Sequence, residues 1–184
     1  MRVIAGEFKG RRLAAPRGAV TRPTADQVRV ALMDALAPWL PGARALDLFA
    51  GAGGVGLEAL SRGAAHATFV ERDARAVAAL AANVRALGVG SRARVVRAEV
   101  GRALGRLAAA GERYDVVFLD PPYDGDLGAA TLAALGDGAV TAPAAVVVAQ
   151  HFTKRPPAPA YGVLAAFRTR RFGETTLTFF RAEG

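Results

Sequence analysis

Short apolar runs alternate with helical periodicities along most of the chain. The runs at 45–49, 67–70, 93–97, 115–119 and 144–149 are bounded by turn-forming or polar residues, as is typical of buried strands in a parallel sheet. Between them, apolar residues recur at helical spacing, for example at Val77, Leu80, Val84 and Leu87, a helix for which Asp73 is the predicted N-cap and Gly88 the predicted C-cap. This alternation predicts an α/β fold. Two later runs, 167–171 and 175–181, predict an antiparallel hairpin that completes a seven-stranded, mostly parallel sheet.

The N-terminal residues follow a different pattern. Arg2–Ala5 and 11–15 flank a turn bracketed by Gly6 and Gly10, which predicts a β-hairpin. A loop follows, and Thr24 with Gln27 three residues later matches a helix capping box. We therefore divide the chain into a hairpin and loop extension at 1–23 and a main domain at 24–184.

A glycine-rich turn follows the first strand of the main domain. Gly51-Ala52-Gly53-Gly54-Val55-Gly56 has the spacing Gly-x-Gly-x-x-Gly and leads into a predicted helix. Glu71 comes 20 residues after Gly51, at the end of the next strand, where a carboxylate can hold ribose hydroxyls. Together these features predict a site for an adenosine-type cofactor.

The charge beside this turn favours one cofactor. Asp47 precedes the glycines and would oppose a pyrophosphate, but it suits the ammonium and sulfonium of S-adenosylmethionine. This argues for S-adenosylmethionine over NAD. Glu99 follows the third strand, where it could reach the adenine amino group or serve as a helix N-terminal acid. The predicted cofactor-binding residues are Asp47, Phe49, Gly51, Gly53, Gly56, Glu71, Arg72, Glu99 and Val100.

The fourth apolar run ends in Asp120-Pro121-Pro122-Tyr123. The prolines fix φ and donate no hydrogen bond, so the turn is stiff and its carbonyl groups remain available as acceptors. Asp120 and the Pro121 carbonyl can accept hydrogens from an exocyclic amine, while Tyr123 can stack on a base. A tight turn after a buried strand is the structural alternative. Ligands bind outside the carboxyl ends of strands in such sheets, so we predict that Asp120, Pro121, Pro122 and Tyr123 are catalytic.

The net charge of +8 is concentrated at the two ends of the chain. Residues 1–30 and 151–184 are strongly basic, whereas 31–150 is nearly neutral. This distribution favours a polyanionic partner, although a solvated surface in an arginine-rich protein would look similar. The predicted RNA contacts are Lys9, Arg11, Arg12, Arg22, Thr24 and Arg29.

Composition excludes several classes of protein. There are no cysteines, and the two histidines, His66 and His151, are far apart, so no disulfide framework or metal site is expected. Neither a signal-peptide pattern nor an apolar stretch of roughly 20 residues is present. We therefore expect a cytoplasmic protein.

The motifs resemble a known family. Asp47-Leu48-Phe49-Ala50-Gly51-Ala52-Gly53 with the Asp120 motif resembles Rossmann-like amino methyltransferases. Arg2–Gly6, Arg22-Pro23-Thr24 and Phe172–Thr175 narrow this to the bacterial 16S ribosomal RNA guanine-N2 methyltransferases of the RsmD type. In that family Glu99 usually has an aspartate counterpart, and Gln150 often a glutamate. We assign no role to position 150.

The resemblance implies S-adenosylmethionine as the methyl donor and a guanine of the small ribosomal subunit, or of a late assembly intermediate, as the acceptor. We expect a monomer. A DNA or protein amino methyltransferase with the same motif remains an alternative, as does a non-catalytic ribosome-assembly factor. The length leaves little room for a DNA target-recognition domain, and the basic ends argue against a protein substrate.

Overall fold

The computed structural model describes residues 1–16, 23–122 and 125–183, with side chains from residue 26 onward in the first helix. The helices are α1 (Pro23–Leu36), α2 (Gly54–Ser61), α3 (Ala74–Leu87), α4 (Val100–Ala109) and α5 (Leu127–Leu135), and Ala37–Trp39 adds a 3-10 turn. The strands are β1 (Arg44–Leu48), β2 (His66–Glu71), β3 (Ala93–Arg97), β4 (Tyr114–Leu119), β5 (Thr141–Phe152), β6 (Ala160–Tyr161), β7 (Leu164–Phe172) and β8 (Thr175–Ala182).

These strands form one sheet in the order β3-β2-β1-β4-β5-β8-β7-β6. The first five pair in parallel, and β8, β7 and β6 extend the sheet in antiparallel fashion. The α/β, mostly parallel architecture is therefore confirmed. The predicted count of seven strands is wrong, because β6 adds an eighth. β6 is only two residues long and carries no periodicity that a sequence reading could detect.

The core has two layers, one on each face of the sheet. One layer packs α1, α2 and α3 against residues such as Phe69 and Phe118, and the other packs α4 and α5 against residues such as Leu48 and Leu119. The parallel strands lie between these helix layers, which explains their largely apolar sequences. Because they run in the same direction, their carboxyl ends lie at one edge of the sheet.

Local signals fix the ends of α3. The Asp73 side chain accepts hydrogen bonds from the backbone amides of Arg75 and Ala76, and Gly88 follows the helix at φ 70°. Both caps were predicted from the sequence. The predicted capping box at Thr24 lies outside the described side chains.

The N-terminal segment is a shorter hairpin than predicted. Arg2 and Arg12 form an isolated antiparallel bridge, and Val3 bonds Arg11 and Gly10 through backbone groups. The amides of Ile4 and Ala5 instead donate to the Glu58 carboxylate on α2. Beyond Val3 the chain therefore bonds to α2 rather than to the returning segment, and two full strands do not form. Buried Val3, Phe8 and Leu13 join the core layer of α1–α3.

Candidate active site

Most of the predicted cofactor residues meet the described catalytic residues, Asp120, Pro121 and Pro122, where the parallel strands end. A cavity of about 460 Å³, here called the strand-end cavity, is lined at the ends of β1 to β4. Its lining includes Phe49, Glu71, Arg72, Glu99, Val100, Asp120, Pro121 and Pro122. A second cavity of about 280 Å³, the glycine-turn cavity, is lined by Asp47, Phe49, Gly51, Gly54, Asp120 and Arg29, among others. Because Phe49 and Asp120 line both, they mark the junction of the two cavities.

The glycine turn needs its glycines for different reasons. Gly51 and Gly53 have φ of 55° and 86°, which side-chain-bearing residues rarely adopt. A Cβ on Gly56 would lie 2.3 Å from the Phe69 ring, so Gly56 allows α2 to pack closely on β2. A Cβ on Gly51 would meet no atom within 4 Å, so this part of the turn is open to a ligand. Phe49, at φ 62°, introduces a strained conformation at the same edge.

Asp47 holds the glycine turn through a hydrogen bond. Its carboxylate accepts the amide hydrogen of Gly56 at 2.9 Å, and the side chain is buried. Burial raises the pKa of Asp47 to about 7; the Gly56 hydrogen bond opposes the rise, and the charges of Asp120 and Glu71 add to it. The charge of Asp47 therefore changes near neutral pH, and the residue lines the glycine-turn cavity.

Glu71 connects β2 to the glycine turn. One carboxylate oxygen accepts the Gly51 amide at 2.8 Å, and the other accepts the amides of Arg72 and Asp73, also at 2.8 Å. A carboxylate offers about four lone-pair sites, so three backbone donors leave room for one more. The backbone thus holds Glu71 in place with capacity to accept a hydroxyl from the strand-end cavity.

Glu99 and Arg72 face each other across the rim of the strand-end cavity. Their ion pair spans 3.1 Å between exposed side chains. Glu99 occupies the N-cap position of α4 without a side-chain capping hydrogen bond, and Val100 begins the helix with a buried side chain. The structure thus places Glu99 at the N-terminus of α4, as expected of a helix N-terminal acid, and also on the cavity wall, where a ligand can reach it.

Asp120 is half-buried at the end of β4, and burial raises its pKa to about 7. Pro121 is buried and Pro122 exposed. Tyr123, the fourth predicted catalytic residue, lies outside the described residues. On the far side of the two prolines is a cavity of about 520 Å³, the proline cavity, whose lining includes Gln150, His151, Phe152 and Tyr161. Pro121 and Pro122 line both this cavity and the strand-end cavity, so the Asp120 turn lies at the boundary between the two.

The described residues among the predicted RNA contacts differ in their exposure. Lys9, Arg11 and Arg12 are exposed on the N-terminal segment. Arg29 is only 7% exposed and lines the glycine-turn cavity, which argues against the predicted phosphate contact at the surface. Arg22 and the side chain of Thr24 lie outside the described part of the chain.

The sequence reading missed the residues that hold the N-terminal segment in place. Glu58 is fully buried on α2 and accepts from Ile4, Ala5 and Arg62. Ser61 accepts the Phe8 amide and donates to the Ala5 carbonyl. A glutamate within the otherwise apolar helix sequence 54–61 was the available signal. These contacts fix the basic segment beside the helix that starts at the glycine turn.

Neither a metal cluster nor a membrane-spanning helix is found in the described residues. Within 1–16, 23–122 and 125–183, no group of three or more histidine, cysteine, aspartate or glutamate side chains is arranged to hold a metal ion. In the same ranges, no helix is long and apolar enough to cross a membrane.

Comparison with known proteins identifies relatives along the whole chain. The model of the family described as "Conserved hypothetical protein 95" matches residues 1–181. The chain is 36% identical over 184 residues to the Bacillus subtilis protein named "Putative rRNA methyltransferase YlbH", and the match covers 100% of both. It is 44% identical over 123 residues to "Ribosomal RNA small subunit methyltransferase D" of Escherichia coli K12, covering 67% of this chain and 60% of that protein. A solved structure of a hypothetical protein from Thermus thermophilus matches at 36% identity with a TM-score of 0.84, covering 100% of this chain and 99% of that one.

Proposed function

Because this chain belongs to the family described as Conserved hypothetical protein 95, with relatives named as ribosomal RNA methyltransferases, we propose that it methylates ribosomal RNA. The donor is S-adenosylmethionine, and the acceptor is the exocyclic N2 of a guanine in 16S ribosomal RNA. The RNA is presented in the small subunit or a late assembly intermediate. The observation that carries the proposal is the position of Asp120, at the junction of the strand-end and glycine-turn cavities and beside the proline cavity.

The chemistry of the two joined cavities fits S-adenosylmethionine. The opening at Gly51 accepts a ligand close to the backbone, and Glu71 has capacity left for a ribose hydroxyl. Asp47 and Asp120 can balance the ammonium and sulfonium charges. Phe49, Arg72, Glu99 and Val100 line the space available to the adenine. When bound, the cofactor supplies an electrophilic methyl group on a positively charged sulfur.

Asp120 and Pro121 orient the acceptor. In the proposed reaction, the Asp120 carboxylate and the Pro121 carbonyl accept the two N2 hydrogens of the guanine, so the nitrogen lone pair faces the methyl group. The guanine amine is a weak nucleophile, so this positioning supplies much of the acceleration. Once the amine is methylated, Asp120 would accept the proton that the nitrogen loses. The base leaves its stack to reach this turn, and we assign its stacking partner to Tyr123.

The N-terminal segment contributes RNA affinity in this proposal. Lys9, Arg11 and Arg12 are exposed there, and they can contact phosphates without reading the sequence. Glu58 and Ser61 fix the segment on α2, which begins at the cofactor site. RNA held by these side chains is thereby kept on the same body as the reacting groups.

The test is methyl transfer from labelled S-adenosylmethionine to small ribosomal subunits that lack this modification, with naked ribosomal RNA and DNA assayed in parallel. Label recovered from the subunit RNA as N2-methylguanosine is the expected result. Label in DNA or in a ribosomal protein would show that the acceptor is not ribosomal RNA, but it would still support S-adenosylmethionine as the methyl donor. Absence of label in every acceptor, despite measured cofactor binding, would favour the assembly-factor alternative.

The raised carboxyl pKa values predict a proton-linked step in cofactor binding. Asp47 and Asp120 both have pKa values of about 7, so each is partly protonated at neutral pH. A sulfonium beside them favours the ionised carboxylates, whereas the neutral thioether of S-adenosylhomocysteine does not. We therefore expect affinity for S-adenosylmethionine relative to S-adenosylhomocysteine to rise between about pH 6 and pH 8, with release of up to about one proton per carboxyl.

Calorimetry in buffers of different ionisation enthalpy measures the released protons directly. Asp120→Asn should reduce the proton release on binding S-adenosylmethionine and leave the S-adenosylhomocysteine titration nearly unchanged. Equal pH dependence for the two ligands would contradict the linkage.

A further inference from the structure

Arg29 is a buried cation with unused hydrogen-bond donors. Its side chain is only 8% exposed on α1. Nη2 donates to the Arg2 carbonyl at 2.8 Å and to the Asp26 carboxylate at 3.0 Å. Nε and Nη1 are buried without a hydrogen-bond partner among the described residues. The guanidinium is always charged, and unpaired buried donors are costly, so an acceptor is missing on this side of the group.

These unused donors lie in the wall of the glycine-turn cavity. Arg29 lines it together with Gly51, Gly54 and Asp47. Arg29 Nη1 is 3.5 Å from the point where a Cβ on Gly54 would lie, and Gly54 is the first residue of α2. The Asp47 carboxylate already accepts the Gly56 amide of the first turn of α2, so Arg29 is the group that favours a negatively charged ligand group at this point.

The opposite charges of the site are separated along the cavity. Asp120 offers negative charge at the junction with the strand-end cavity, whereas Arg29 offers positive charge near Gly54. The Asp47 carboxylate is held by the Gly56 amide in the first turn of α2. The methionine part of the proposed cofactor carries a sulfonium, an ammonium and a carboxylate. A carboxylate is planar and matches the guanidinium donors in pairs. Resting on the proposed function, we propose that Arg29 binds the cofactor's methionine carboxylate through Nε and Nη1, beside the N-terminus of α2.

Met1 covers the proposed contact. Its Sδ and Cε lie 2.8 and 2.9 Å from the point where a Cβ on Gly54 would lie, next to Arg29 Nη1. The Met1 side chain is unbranched and flexible, so its tip can swing aside at low cost. Entry of the carboxylate therefore requires the movement of one side chain rather than of the backbone.

A pair of ligands that differ only in the carboxylate tests this assignment. S-adenosylhomocysteine has it, and decarboxylated S-adenosylhomocysteine keeps the adenosine, thioether and ammonium without it. We expect the wild-type chain to bind the first about 10- to 100-fold more tightly, because hydrogen bonds to charged groups are among the stronger ones. Arg29→Met should remove most of this preference and leave affinity for the decarboxylated ligand within about threefold, while Arg29→Lys should restore part of it.

Controls separate binding from structural damage. Arg106→Lys, an exposed arginine on α4, should preserve the preference for the carboxylate. Equal weakening of both ligands in Arg29→Met would assign Arg29 a purely structural role and overturn the inference, as would unchanged S-adenosylhomocysteine binding. If the variant fails to fold, the absence of a preference in the wild-type chain is sufficient to overturn it. Failure of the wild-type chain to bind either ligand would overturn the proposed cofactor first and this inference with it.

Discussion

Replacing Asp120 with alanine is expected to lower the rate of methyl transfer by at least about 1000-fold. The variant loses both the acceptor that orients the amine and the group that takes its proton, and positioned general bases contribute roughly 100- to 10,000-fold. Asp120 lines the cavities without contributing to the glycine turn, so affinity for S-adenosylhomocysteine should stay within about threefold of wild type. Single-turnover transfer to small subunits and calorimetric titration of the cofactor product measure the two quantities separately.

Two further variants sharpen this experiment. Asp120→Asn keeps one acceptor oxygen but no charge, so we expect an intermediate loss of rate and a flatter dependence on pH near 7. Asp115→Asn is the matched control at the other end of β4, where the Asp115 carboxylate accepts the Arg44 amide. It should transfer methyl groups at close to the wild-type rate. Wild-type turnover by Asp120→Ala would remove this residue from the mechanism.

The sequence predicted the parts of the site that local chemistry determines. Asp73 caps the start of α3 and Gly88 its end, each by hydrogen bonds to residues only a few positions away. The Gly51 turn and Glu71 belong to one strand–helix–strand unit. A parallel sheet with strands in this order brings the end of β4 beside the end of β1, so Asp120 and the glycine turn meet without further information. These predictions depended on short-range spacing and on one topological rule.

The missed features all depend on contacts between distant parts of the chain. Arg29 was predicted to contact an RNA phosphate, but it is buried, and its Nη2 donates to the carbonyl of Arg2, 27 residues away. Glu58 lies 54 residues from Ile4, and nothing in the local sequence connects them. The periodic pattern therefore could not reveal buried polar side chains that form hydrogen bonds with backbone groups far away in the sequence.

The contact between Glu58 and the N-terminal segment should account for a large part of the stability of the fold. Glu58 is fully buried, and its carboxylate accepts the amides of Ile4 at 2.8 Å and Ala5 at 2.9 Å, together with Arg62 Nε at 3.0 Å. In Glu58→Ala these three donors lose their acceptor, and the buried apolar side chains around them offer no replacement. Breaking a buried charged network from one side costs about 3–5 kcal/mol in the free energy of unfolding. For a domain of this size that corresponds to a fall in Tm of roughly 6–20 °C.

Glu7→Ala provides the matched control for Glu58, because it removes a glutamate from the same N-terminal segment. Glu7 pairs with Arg92 at the surface and is 57% exposed, so its loss should cost less than about 1 kcal/mol. Thermal unfolding compares the two variants, and hydrogen exchange at residues 3–8 locates the change. In Glu58→Ala, exchange should accelerate at the Ile4 and Ala5 amides first. Equal Tm values for the two variants would mean that the N-terminal segment is held mainly by the apolar contacts of Val3, Phe8 and Leu13, and that Glu58 contributes little.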